Sequence, residues 1–386
     1  MSTIEVPCVM EFRLRRMLLA IAIFAFLPLL ASPLNVALHA QASFERSGLV
    51  VGSEVTCAGL KRAFEALPHP AAPSPSTTVE IFSPFNYDAL SLHQWDIVVI
   101  EGWFTQIHAF IHEVRRLSDD GSPPIVLFVA AAIPGLGDNF TSEREGMEAL
   151  STLEVDGFLT NSERLRAALI ETGAPAAAML LAVDDALFRP LPPVARYAHN
   201  VTYVGHAMGL VMKPHLRAML RAALPQGLVI YGAGWGADAE FATAWGGVLP
   251  PGDLAALYSS AKVVLGSTNE DQARFGMVNN RAFEAVACGA ALLFEHFDEL
   301  EAAFGATMDY ARRDAEGGVG ASTATRVEAM LRLDDGVRIA RRDAAAAFIR
   351  DHHTWAHRVQ QIVRFVDELH AAKKQEQRRR GPVVAV

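Results

Sequence analysis

The feature that most constrains the fold is an alternation that runs along the chain twice. From Pro33 onward, short apolar runs alternate with longer amphipathic ones. Leu34–His39, Thr78–Phe82, Asp96–Glu101, Pro124–Val129 and Gly157–Thr160 read as strands, with helical patterns such as Glu54–Leu67 and Phe104–Leu117 between them. Strands apolar at every position suit a parallel sheet covered by helices on both faces. Met179–Val183 closes this series, and the prolines of Arg189–Pro193 mark a linker. A second series then begins. Val201–Val204, Gly227–Tyr231, Ala261–Leu265 and Ala290–Phe294 read as strands, with Met212–Ala223, Asp253–Ser259, Asn279–Cys288 and Arg326–Leu333 as helices. The expectation is an α/β chain of two doubly wound, Rossmann-like domains facing a cleft. Ligands of such open sheets bind beyond the carboxyl ends of the strands.

The 386 residues suit two such domains. The first is expected over residues 33–192 and the second over 193–350. A C-terminal helix at 351–375 is expected to pack back across the cleft, and residues 376–386 form a basic tail expected to be disordered. Arg13, Arg15 and Arg16 precede an apolar run, Met17–Leu30, so residues 1–32 read as a signal or membrane-anchor segment. That reading places the protein at a membrane or in a secretory compartment. The alternative, if the segment is not a true targeting signal, is cytoplasmic. The net charge of −9 argues against nucleic acid as a partner. Cys8, Cys57 and Cys288 show no metal-binding spacing.

The segment Gly276–Phe294 is the richest in chemistry. Asn279 or Asn280 can cap a helix that Gly289 ends. A helix start at the cleft suits a diphosphate, because its free N–H groups and its dipole favour an anion. Arg281 can add a fork of donors to the phosphates. Glu284, one turn on, can accept hydrogen bonds from two ribose hydroxyls. An ordinary surface helix with solvated Arg and Glu is the plainer alternative. In the first half, His39 and Glu101 end two strands at the cleft. Either can serve as a base, His39 first and Glu101 second, and either can also be purely structural. Trp103 can stack on a sugar ring or pack in the core. The loop Gln41–Gly52 can approach a ligand closely.

Asn280–Ala290 resembles the Arg-x-Phe-Glu-x-x-Ala-Cys-Gly signature of group 1 glycosyltransferases, with the spore-maturation-protein-like branch most similar. Tyr203–Gly205 resembles the family's opening strand and glycine turn, and Tyr231–Trp235 its Gly-x-Gly-Trp strand end. Asp253–Leu265 resembles a helix–strand unit of the family, and His353–Trp355 with Arg358 its C-terminal helix. The resemblance implies the GT-B fold and a metal-independent transfer from a nucleoside-diphosphate sugar, with no other cofactor. The acceptor (glycan, protein, lipid or small molecule) is not specified. The resemblance also implies that Glu284 holds the ribose, and that Gly205, Gly234, Trp235 and Asn279–Arg281 line the nucleotide diphosphate. Lys213 would neutralise the leaving diphosphate. One departure is evident. The first glutamate of the family's Glu-x7-Glu pair falls at Gly276. Asn269, Glu270 and Asp271 are candidates to replace it.

Other readings are weaker. Gly232-x-Gly234-x-x-Ala237 fits a dinucleotide fingerprint, yet the helical pattern after it is short and no acidic strand end follows. His108 and His112 do not form the His-Glu-x-x-His order of a metal hydrolase. The serious alternative is a non-catalytic nucleotide- or glycan-binding protein of the same fold.

Overall fold

The computed structural model describes residues 34–40, 52–67, 77–83, 87–92, 94–101, 104–117, 123–130, 142–316 and 318–380. The expected anchor segment, the loop Gln41–Gly52 up to residue 51, and Trp103 lie outside them. Among the described residues no helix is long and apolar enough to cross a membrane.

The first sheet has six strands: β1 (Asn35–His39), β2 (Thr78–Phe82), β3 (Ile97–Ile100), β4 (Ile125–Ala130), β5 (Gly157–Thr160) and β6 (Ala176–Ala178). Their order is β2-β1-β3-β4-β5-β6 and every pairing is parallel. The second sheet has five: β7 (Val201–Val204), β8 (Leu228–Tyr231), β9 (Val263–Gly266), β10 (Leu292–Glu295) and β11 (Asp309–Ala311). Their order is β11-β10-β9-β7-β8, again all parallel. Strands β3, β4, β5, β9 and β10 are buried at every position, as their unbroken apolar runs require.

The last strand of the first sheet is Ala176–Ala178, not Met179–Val183. Val183 instead bridges Thr354, with Val183 N–H donating to the His353 carbonyl and Trp355 N–H to the Val183 carbonyl. The expected Met212–Ala223 helix is broken into Gly209–Met212 and Leu216–Ala223. Pro214 explains the break, since a proline bars the residue before it from helical geometry, and Lys213 sits at φ −122°, ψ 90°. Residues 376–380, read from sequence as a disordered tail, continue the last helix, Trp355–Arg380.

That helix returns to the first domain. Trp355 packs on the Gly52–Glu65 helix so closely that a Cβ at Gly59 would lie 2.0 Å from Trp355 Cδ1. Phe365 and Leu369 cover Gly157, and Lys373 pairs with Asp156 at 2.6 Å. Arg358 holds the crossing point. It is 3% exposed and among the described residues meets no carboxylate, donating instead to the carbonyls of Leu180, Leu181 and His352 and bonding His353 Nδ1. Burial lowers its pKa to about 10. The carbonyl cage makes that buried charge tolerable. One apolar cluster therefore runs through both domains, from Leu38 and Phe64 to Phe283 and Ile349.

Gly59→Ala is predicted to destabilise the chain by about 1–3 kcal/mol, the usual cost of forcing an extra methyl into a filled helix contact. Thermal unfolding measures it, and an unchanged melting temperature would show that the last helix does not dock as described.

Candidate active site

Parallel strands bring their carboxyl ends to one edge of each sheet, so the chemistry-bearing turns collect there. In the second domain, β7 and β8 end in register at Val204 and Tyr231. Both chains then turn through glycine. A Cβ at Gly232, whose φ is +137°, would lie 2.1 Å from the Gly205 carbonyl oxygen, so only glycine lets the two turns touch. Gly205 N–H donates to the Tyr231 carbonyl and Ala207 N–H to the Ala233 carbonyl, which places Gly234 against Ala207.

Trp235 corrects the sequence reading. It does not line an open site, because it is fully buried between Tyr203 and Phe241. Its indole N–H donates to the Gly205 carbonyl at 2.6 Å, so it supports the glycine turn from below. No α-helix follows Gly234; Trp235–Ala237 and Ala242–Ala244 are 3-10 turns. The dinucleotide reading fails with them, since that fingerprint needs a helix start for its pyrophosphate.

The Asn280–Ala287 helix begins beside these turns, with Asn279 as its cap residue. The cap is a second correction. Asn279 makes no side-chain bond to the helix and donates instead to the Ser267 carbonyl at 3.2 Å. The first N–H groups of the helix are thus left without a side-chain partner, and the side-chain oxygens of Asn279 and Asn280 are buried and unpaired. Arg281 reaches the strand end of β7. Its Nη2 donates to the Val204 carbonyl, its guanidinium lies 4.9 Å from the centre of the Tyr203 ring, and its Nε and Nη1 are buried without a partner. Burial opposes its charge, but Tyr203, Tyr258 and Glu284 around it hold its pKa above the ordinary value.

Glu284 is half-buried, and among the described residues no ion pair or hydrogen bond ties up its carboxylate. Burial pushes its pKa up to about 7, with Arg281 opposing. Lys213 completes the group. Burial pulls its pKa down to about 7, the Arg281 charge acts in the same direction, and Glu295 opposes both. Glu295 itself was missed from sequence. It is 3% exposed at the end of β10, accepts from Ser267 Oγ at 2.9 Å and pairs with Arg313 at 3.3 Å. An acidic residue closing an otherwise apolar strand was the available signal.

The loop before this helix is fastened to the first domain. Asn161 Nδ2 donates to the Val278 carbonyl at 3.0 Å and Ser162 Oγ to the Phe275 carbonyl at 2.5 Å. Arg164 donates to the Arg274 carbonyl and stacks 4.7 Å from the Phe275 ring centre. Phe275 and Met277 join the core of the first domain. The helix start therefore lies at the junction of the two domains.

Across the junction, His39 closes β1 and Glu101 directly follows β3, as expected. His39 is fully buried, with Nε2 2.8 Å from the Tyr87 hydroxyl and Nδ1 3.3 Å from the Glu101 carbonyl. Burial lowers its pKa to about 4, so both ring nitrogens are engaged in a neutral ring. Glu101 keeps one carboxylate oxygen buried and unpaired, and burial raises its pKa to about 7. Thr56 opposes that rise from alongside, although its hydroxyl does not complete a hydrogen bond of good geometry. Glu101 is the side chain poised to exchange a proton near neutrality.

Residues 213–364 match the family described as glycosyl transferase-like. Over that stretch the chain is similar to the family. Among curated proteins, none matches the chain. Among solved structures, Anabaena HepE in complex with UDP and glucose aligns with a TM-score of 0.60 at 12% identity, covering 86% of this chain and 99% of that one. A glycosyltransferase from Rickettsia africae gives 0.60 at 11% identity, covering 88% and 99%. Sucrose-phosphate synthase from Thermosynechococcus elongatus gives 0.59 at 12% identity, covering 88% and 100%. At these identities the likeness establishes the fold, which is the two-domain GT-B architecture.

Glu101 makes a test of the site that needs no substrate. Its folded pKa of about 7 lies above the carboxylate's ordinary 4.5, so the folded state is penalised as pH rises from 4.5 to 7 and stays so above. Glu101→Gln is predicted to raise the melting temperature clearly at pH 8 and little at pH 5. An equal effect at both pH values would mean that the carboxylate is not desolvated.

Proposed function

We propose that this protein is a glycosyltransferase that uses a nucleoside-diphosphate sugar. The observation that carries the reading is the helix start at Asn280: an end without a side-chain cap at the domain junction, with Arg281 and Lys213 converging on it. A diphosphate placed there would meet backbone N–H groups, the helix dipole and two basic side chains, one of them with buried unpaired donors. The Glu284 carboxylate, free of protein partners and one turn along, suits a pair of ribose hydroxyls. The family match over this half and the UDP and UDP-glucose complexes of Anabaena HepE support the same donor class. The Asn280–Ala290 motif supports a relationship to the spore-maturation-protein-like branch.

In this mechanism Lys213, Arg281 and the helix start stabilise the charge that grows on the leaving diphosphate. These groups stand in place of a metal ion, and the nucleotide sugar is the only co-substrate required. Glu101, once ionised, takes the proton of the acceptor hydroxyl, while His39 and Tyr87 fix the floor of the acceptor side. The acidic chain does not suit nucleic acid as acceptor. Arg13, Arg15 and Arg16 before the apolar run Met17–Leu30 support attachment of the enzyme to a membrane through its N-terminal segment. A nucleotide-binding protein without turnover is the alternative, and detection of sugar transfer or donor hydrolysis separates the two.

Two measurements follow. Glu284→Gln is predicted to weaken UDP binding by about 1–3 kcal/mol in calorimetry, the cost of weakening charge-assisted bonds to hydroxyls; unchanged affinity would remove Glu284 from the ribose site. The pH profile of kcat/KM is predicted to be bell-shaped with its maximum near 7. Ionisation of Glu101 and Glu284 raises activity as pH climbs to about 7, and loss of the Lys213 charge lowers it above about 7. A flat profile from pH 5 to 9 would contradict these roles.

A further inference from the structure

Gly276 and Glu299 face each other in a way the donor reading leaves unexplained. Gly276 lies in the loop that leads into the Asn280 helix, between Phe275 and Met277, which are seated in the first domain. Its φ is +69°, a left-handed conformation that L side chains rarely adopt. A Cβ built there would lie 2.5 Å from Glu299 Cγ, 2.4 Å from Cδ and 2.7 Å from Oε1. The space that a side chain at position 276 would enter is therefore filled by the Glu299 carboxylate.

Glu299 stands in the first turn of the Asp298–Phe304 helix, directly after β10, at the carboxyl edge of the second sheet. It is exposed, and among the described residues no hydrogen bond or ion pair engages its carboxylate. Its neighbours on that helix are used differently. Asp298 points to solvent near His296 at 4.0 Å, and Glu301 is bound by His296 and Arg312. An acidic first turn suits the helix dipole in general, which accounts for the charge of Glu299 but not for its seat over a glycine that lacks a side chain.

We propose that Glu299 is a specificity-determining residue of the donor site, its carboxylate accepting hydrogen bonds from hydroxyls of the transferred sugar in the place left open by Gly276. The inference rests on the donor reading above, because the sugar reaches this loop only if the diphosphate sits at the Asn280 helix start. A carboxylate has the acceptor capacity to hold two adjacent hydroxyls and so to distinguish sugars by the orientation of those groups.

The test is calorimetry with UDP and UDP-glucose on the wild type, Glu299→Gln and Asp298→Asn. The wild type is expected to bind UDP-glucose more tightly than UDP. Glu299→Gln should lose roughly tenfold in UDP-glucose affinity, the scale of a weakened charge-assisted bond, while UDP affinity changes by less than about twofold. Asp298→Asn should leave both unchanged. Equal UDP-glucose affinity in the wild type and Glu299→Gln overturns the role of Glu299 while leaving the donor site in place, as does a wild type that binds UDP-glucose no better than UDP. A wild type that binds neither probe overturns the donor reading and this inference with it.

Discussion

The structure turns on a helix that starts without a cap of its own. Asn279 has the residue type and position to cap the Asn280–Ala287 helix, yet its amide is spent on the Ser267 carbonyl. A side-chain cap is worth about 1 kcal/mol, so leaving it unmade is a standing cost to stability. The same neighbourhood holds the unpaired oxygens of Asn279 and Asn280, the Tyr203 hydroxyl and two nitrogens of Arg281, all buried. Glu101 repeats the pattern across the junction. Folded chains pair nearly all their buried polar groups, so such a concentration at the carboxyl edges of both sheets marks where local stability has been given up.

Such a site works only if its parts are held still by something else. Here the supports are backbone carbonyls. Asn161, Ser162 and Arg164 grip the carbonyls of Val278, Phe275 and Arg274 and tie the loop to the first domain. Arg358 grips Leu180 and Leu181 and ties the last helix to the segment that follows β6. Bonds to carbonyls fix these positions without adding a further opposing charge near Lys213 and Arg281.

The fold was legible because parallel strands buried on both faces have no polar period to confuse. Ile97–Ile100 and Ile125–Ala130 are apolar at every position, and their limits were read to within a residue or so. What failed was local. The Pro214 break was overlooked, and the Ala176–Ala178 edge strand is too short and too weakly apolar to announce itself. The Asp335–His352 helix is alanine-rich with scattered charges, so its buried face shows little contrast. In the site, the motif residues were found but their duties were not all readable. Trp235 is conspicuous in sequence, yet its indole is turned inward to a carbonyl. In sequence His39 ranks ahead of Glu101, and only burial separates a neutral ring with both nitrogens engaged from a carboxyl that titrates near 7. Glu299 was invisible, because its meaning comes from a glycine on another element.

The most direct measurement is a crystal structure of the protein soaked with UDP. The account predicts the diphosphate at the start of the Asn280–Ala287 helix, with oxygens within hydrogen-bonding distance of the backbone N–H groups of Asn280 and Arg281, and the ribose over Glu284. A diphosphate bound elsewhere, with this helix start still open, would contradict it.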